Sequence, residues 1–199
     1  MKQQVFAIHG GNTFDTYEEY IEHLKQKNVS LEDLKYSDWK QSLQKTLGET
    51  YDVLSPRMPS GNNAKYLEWK IYFEKFIPLL NDNVIFIGHS LGGIFLAKYL
   101  SEEKYPHKIK AVFLVAAPYD TAHQHLLSDF VISENLENFQ NQVTHIFLYH
   151  STDDQVVPFS SFERYAQNLP STQKRILTGR NHINQETFPE LIADIQSLI

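Results

Sequence analysis

The sequence predicts an α/β chain, one mostly parallel sheet with helices packed on both faces. Short apolar runs alternate with longer stretches of helical periodicity, the βαβα pattern of a parallel sheet. Several runs are continuous and rich in β-branched and aromatic residues, as strands buried on both faces require. A third observation is "NVIFIGHSLGGIFLAKYL", Asn83 to Leu100, where a serine stands among glycines directly after one such run.

Six runs read as strands: Val5–Ile8, Tyr51–Leu54, Val84–Ile87, Ala111–Val115, Thr144–Tyr149 and Arg175–Leu177. Between the first two, "SLEDLKYSDWKQSLQKTL" predicts a helix over 30–47. Ser30 and Asp33 form a cap-like start, and Leu31, Leu34, Trp39, Leu43 and Leu47 follow at helical spacing. "AKYLEWKIYFEKFIPLL" spaces Tyr66, Trp69, Phe73, Phe76 and Leu80 for a second helix, and Ile94–Leu100 reads as a third. In "TFPELIADIQSLI", Thr187 and Glu190 have capping-box spacing and Pro189 falls in the first turn. Phe188, Leu191, Ile192 and Ile195 then make the buried stripe. Residues 15–48 and 120–142 fit no simple crossover. Both are expected to decorate a site at the carboxyl ends of the strands, where open α/β sheets bind ligands.

A length of 199 residues suits a single domain, 1–199, and 42% apolar with 13% aromatic content allows a sizeable core. The net charge is −6 with no basic cluster, so no nucleic-acid partner is expected. With no cysteine, disulfides, thiolate metal sites and a cysteine nucleophile are excluded. No segment approaches 18 apolar residues and the N-terminus lacks a signal-like apolar region. A soluble cytoplasmic protein without a membrane partner is the expectation. His123 and His125 lack companion ligands, and Gly10-Gly11 lacks the Lys-Ser/Thr of a phosphate loop, so no metal or cofactor is expected.

Gly88-His89-Ser90-Leu91-Gly92 is G-x-S-x-G after an apolar strand and before a helical run. That is the context of a nucleophile elbow, which lifts the serine hydroxyl above the sheet. The flanking glycines spare a collision where the turn doubles back. A serine needs a base held by a third group, in the chain order Ser, acid, His, each at a strand end. "THIFLYH" is followed by "STDDQVVP", offering Asp153 and Asp154; "KRILTG" is followed by "RNHIN", offering His182. An oxyanion hole takes the N–H of Leu91, after the nucleophile, and that of Gly11 in "HGGN" after the first strand. His9 is expected to hydrogen-bond and shape that loop, and Trp39 and Trp69 are expected in the core.

With these motifs the chain resembles the α/β-hydrolase superfamily over essentially its whole length, most closely the small lid-less serine hydrolases related to retinoblastoma-binding protein 9. The resemblance runs through "SDWKQSL", "LSPRMP", "GHSLGG", "VAAPY", "STDDQVVP" and "GRNHIN". It implies six strands in the order 2-1-3-4-5-6 and no inserted cap domain. It also implies Ser90 as nucleophile, His182 as base, and Gly11 and Leu91 as oxyanion donors. It favours Asp154 over Asp153 as the acid, four residues before Pro158; Asp153 suits local N–H bonds in the turn. Lacking cysteine, the chain cannot carry the Leu-x-Cys-x-Glu retinoblastoma-binding motif.

The expected activity is hydrolysis of small carboxylic esters with short to medium acyl chains through an acyl-enzyme. Phe14, Tyr119 and Phe159 are expected as an apolar wall. The rivals are amide or peptide cleavage, acyl transfer on the same residues, and a non-catalytic protein-binding module that keeps the fold.

Overall fold

The computed structural model describes residues 2–31, 33–119 and 127–199. Asp120, His123 and His125, and with them the first part of the 120–142 segment, lie outside the described residues. All six expected strands form: β1 (Gln3–Ile8), β2 (Tyr51–Leu54), β3 (Val84–His89), β4 (Ile109–Val115), β5 (Val143–Ser151) and β6 (Gln173–Leu177). They build one sheet in the order β2-β1-β3-β4-β5-β6, every neighbouring pair parallel. The register sets Ile8 beside Gly88, and His89 beside Val115 and Val115 beside Tyr149. The loops leaving β1, β3, β4 and β5 therefore rise from a common edge. β3 is buried along its whole length, which explains the unbroken apolar run Val84–Ile87 within it.

The helices are α1 (Tyr17–Gln26), α2 (Trp39–Leu47), α3 (Tyr66–Glu74), α4 (Leu91–Glu102), α5 (Glu137–Gln142), α6 (Phe159–Asn168) and α7 (Pro189–Gln196). One sheet face packs against α3, α4 and α6 through Trp69, Phe73, Ile94, Phe95, Phe162 and Tyr165. The other packs against α2 and α7 through Trp39, Leu43, Leu191 and Ile195. No helix among the described residues is long and apolar enough to cross a membrane.

Three local expectations fail. The helix expected from Tyr66 through Leu80 ends at Glu74 and gives way to a 3₁₀ turn at Ile77–Leu79 around Pro78. The helix expected over 30–47 is two pieces, because Ser30 and Asp33 cap only a 3₁₀ turn at Asp33–Lys35. The helix proper begins after Asp38, whose carboxylate accepts the Lys40 N–H at 2.9 Å while Gln41 Oε1 accepts the Asp38 N–H at 2.8 Å. This second capping box outcompetes continuation of the turn. Leu31 and Leu34 consequently face solvent, 70% and 83% exposed. Thr187 does not cap α7 either: Phe188 takes the N-cap position with no side-chain hydrogen bond, and Pro189 opens the helix.

Candidate active site

The elbow lies between β3 and α4. Ser90 has φ 54° and ψ −122°, a region that costs a non-glycine residue roughly 1–3 kcal/mol. The surrounding structure holds it there: its N–H donates to Val115 O at 2.8 Å and its carbonyl accepts the Gly93 N–H at 2.8 Å. A Cβ on Gly88 would fall 2.4 Å from Gly92 O, and one on Gly92 would fall 2.4 Å from Ile8 O. The turn thus closes on itself and against β1 at distances that only glycine permits. Leu91 is the first residue of α4, so its N–H has no i−4 carbonyl and stands at the positive end of a twelve-residue helix.

The loop after β1 packs directly on the serine, since a Cβ on Gly10 would lie 3.0 Å from Ser90 Cβ. His9 sets the orientation of this loop. Its Nε2 accepts the Met58 N–H at 2.9 Å, which puts the ring proton on Nδ1, and Nδ1 donates to Gly10 O at 2.5 Å. With the Gly10 carbonyl drawn towards His9, the trans peptide turns the Gly11 N–H the other way. A Cβ on Gly11 would meet Gly61 O at 2.5 Å and Leu91 Cδ2 at 3.1 Å, so Gly11 and Leu91 are neighbours.

Asp154 and His182 come together from the loops after β5 and β6. His182 Nδ1 donates to Asp154 Oδ2 at 2.8 Å, with the aspartate side chain fully buried. Asp154 Oδ1 accepts the N–H groups of Val156 and Val157 at 2.8 and 2.9 Å. Burial opposes its ionised form. The His182 bond and the two N–H groups outweigh that, holding the carboxyl below its ordinary range. Asp153 points elsewhere: its carboxylate accepts the Ser151 hydroxyl, the Gly179 N–H at 3.0 Å and the Asn181 N–H at 3.3 Å. It ties the loop after β5 to the loop that carries His182. No hydrogen bond joins Ser90 Oγ to the His182 ring among the described residues, and such contacts commonly tighten only when substrate binds.

Several residues of this neighbourhood escaped sequence reasoning. His150 is buried beneath the loop after β5, its Nε2 donating to Val157 O at 3.0 Å and lying 3.6 Å from Asp154 Oδ2. Trp39 is in the core as expected, yet its indole N–H also donates to Ile183 O at 2.9 Å. Buried Asp38 and half-buried Lys40 form an ion pair at 2.5 Å beside His89. The one signal available was Asp38 with Gln41 three residues on, a capping-box spacing. Of the expected aromatic wall, Tyr119 is 1% exposed and packs on Tyr165, so it belongs to the core. Phe159 stacks on Phe162, and Phe14 packs on Tyr20 and His23. Beside the loop after β1, a cleft of about 720 Å³ is lined by His9, Tyr36, Lys40, Arg57 and Met58 among others.

The strand order, with the elbow after the central β3, defines an α/β-hydrolase fold. The ydeN gene product of B. subtilis superposes with a TM-score of 0.77 at 18% identity, covering 99% of this chain and 98% of that one. The meta-cleavage product hydrolase CumD of Pseudomonas fluorescens gives 0.67 at 15% identity, over 98% and 90%. A structure from work on carboxylesterases of the thaumarchaeon Nitrososphaera gargenis gives 0.61 at 13% identity, over 99% and 91%. No curated protein matches the chain by sequence. The profile of the family described as serine hydrolase matches residues 31–190, and the chain belongs to that family. It is an enzyme of the serine hydrolase type.

Proposed function

We propose that this enzyme hydrolyses small carboxylic esters with short to medium acyl chains through Ser90, His182 and Asp154. The observation that carries the reading is the buried Asp154–His182 pair at 2.8 Å, at the same sheet edge as the strained Ser90. His182 Nε2 takes the Ser90 proton as Oγ attacks the ester carbonyl. Asp154, on Nδ1–H, keeps the imidazole in the required tautomer and stabilises the imidazolium. The N–H groups of Leu91 and Gly11 donate to the oxyanion. Collapse breaks the bond to the alcohol oxygen, which leaves with the proton from His182. Water, deprotonated by His182, then attacks the acyl-enzyme and frees the acid and Ser90. These steps require no cofactor.

The ester class is supported by the carboxylesterase work among the structural neighbours. The chain length is the part of the proposal that the ester series below decides. The test is labelling by a fluorophosphonate probe, followed by turnover of p-nitrophenyl esters of increasing chain length and of matched anilides. Labelling of Ser90 with butyrate esters cleaved faster than anilides is expected. A protein that stays unlabelled would overturn the triad, and faster anilide cleavage would move the substrate class to amides.

A further inference from the structure

We propose that His89, fixed in its Nε2–H tautomer by Lys40, is a positioning residue for His182. The inference rests on His182 being the base. The loop bearing His182 is strained on both sides of it, with Asn181 at φ 46° and Ile183 at φ 54°. For a β-branched residue such as Ile183 this conformation is an outlier that its surroundings must enforce. The enforcing bonds come from two elements already at the site. Trp39 donates its indole N–H to Ile183 O at 2.9 Å and its backbone N–H to Gln185 O at 2.8 Å. His89, the residue before the nucleophile, donates Nε2–H to the carbonyl of His182 itself at 2.9 Å.

That donation depends on where the His89 proton sits. Lys40 Nζ lies 3.2 Å from His89 Nδ1, and an ammonium can only donate, so Nδ1 must be bare and the proton must be on Nε2. Lys40 is itself held by Asp38, which also accepts the Tyr36 hydroxyl at 2.9 Å. The result is one chain of contacts from Tyr36 and Asp38 through Lys40 and His89 to the backbone of the base. Burial first, and then the Lys40 charge, hold His89 well below the ordinary imidazole value against the upward pull of its bond to the His182 carbonyl. A neutral imidazole adds no second cation beside a base that must itself become one during turnover. The elbow therefore supplies the grip on the base as well as the nucleophile, and a shift of one is carried to the other.

The experiment compares His89→Phe, which keeps a ring and loses the donor, with His89→Gln, which keeps a neutral N–H. The phenylalanine variant should lose about 10- to 100-fold in kcat with KM within about twofold, the size expected when a catalytic group is misplaced by about 1 Å. The glutamine variant should recover most of that loss. Trp39→Phe, which removes one donor to the same loop away from the elbow, should lower kcat in the same direction by less. A second readout does not depend on turnover: the low-field proton resonance of His182 Nδ1–H should broaden or vanish in His89→Phe and persist in His89→Gln. Equal losses in the Phe and Gln variants, or full kcat in His89→Phe, would overturn the proposal. Failure of the triad itself shows separately, as absence of fluorophosphonate labelling in the unaltered enzyme.

Discussion

The loop over 178–186 and the excursion over 13–36 both lie outside the sheet, yet they are held in opposite ways. The first carries two left-handed non-glycine residues, Asn181 and Ile183, and buries Ile183 and His182. It is fastened by Trp39, His89 and Asp153. The second contains the better local structure, a ten-residue helix with a complete capping box from Thr16 and Glu19. No residue of α1 is buried, and Tyr17, Leu24, Val29, Leu31 and Leu34 are exposed. Good capping organises a helix without anchoring it, whereas buried long-range hydrogen bonds hold an unfavourable backbone in place. A loop that must hold His182 against Asp154 needs the second kind of support.

The largest effect expected from this contrast is at its centre. Ser90→Ala should remove esterase turnover by about 10⁶ while leaving the thermal midpoint nearly unchanged, as loss of a triad serine does. More than a few per cent residual activity would move the nucleophile elsewhere. Next, Asp154→Asn should lower kcat by about 10³–10⁴ through the wrong imidazole tautomer. Asp153→Asn should cost about tenfold or less, because it only loosens the tie to Gly179 and Asn181. A reversed ranking would exchange the two roles.

Stability sharpens the contrast further. Trp39→Ala, in the clamp, should destabilise the fold by about 3–5 kcal/mol in denaturant titration. The pH dependence should also come from the buried side. His89 and His150 are both held below the ordinary imidazole value, chiefly by burial. As pH falls below about 6.5 the unfolded chain takes up their protons before the folded one does. Stability should then drop by up to about 1.4 kcal/mol per pH unit for each while its folded form stays neutral. The Asp154 contribution follows the same direction at lower pH: present above the usual carboxylate range and lost as pH falls through its depressed value. His89→Gln should make that slope shallower. The smallest effect belongs to the excursion, where Leu31→Ser and Leu34→Ser should change stability by no more than about 0.5 kcal/mol. A loss comparable to that of Trp39→Ala would mean that 13–36 is anchored after all.

The strands and the elbow were legible because their signals are local. The buried runs Val84–Ile87 and Ala111–Val115 are apolar throughout, and the glycines around Ser90 answer contacts made within the turn or against the adjacent strand. The order of serine, aspartate pair and histidine is likewise written along the chain. The helix over 30–47 was misread because Leu31 and Leu34 have the spacing of a buried stripe without a surface to bury them, and the Asp38 box interrupts the turn. Which of Asp153 and Asp154 meets His182 needed tertiary structure, since adjacent carboxylates differ only in their partners: Gly179 and Asn181 for one, His182 for the other. The clamp needed it still more. Asp154 and His182 are 28 residues apart, His89 and His182 are 93, and Trp39 and Ile183 are 144. Periodicity and capping report interactions over a few residues of chain, whereas the partner of a buried polar group is set by which loops the closed sheet brings to the same edge.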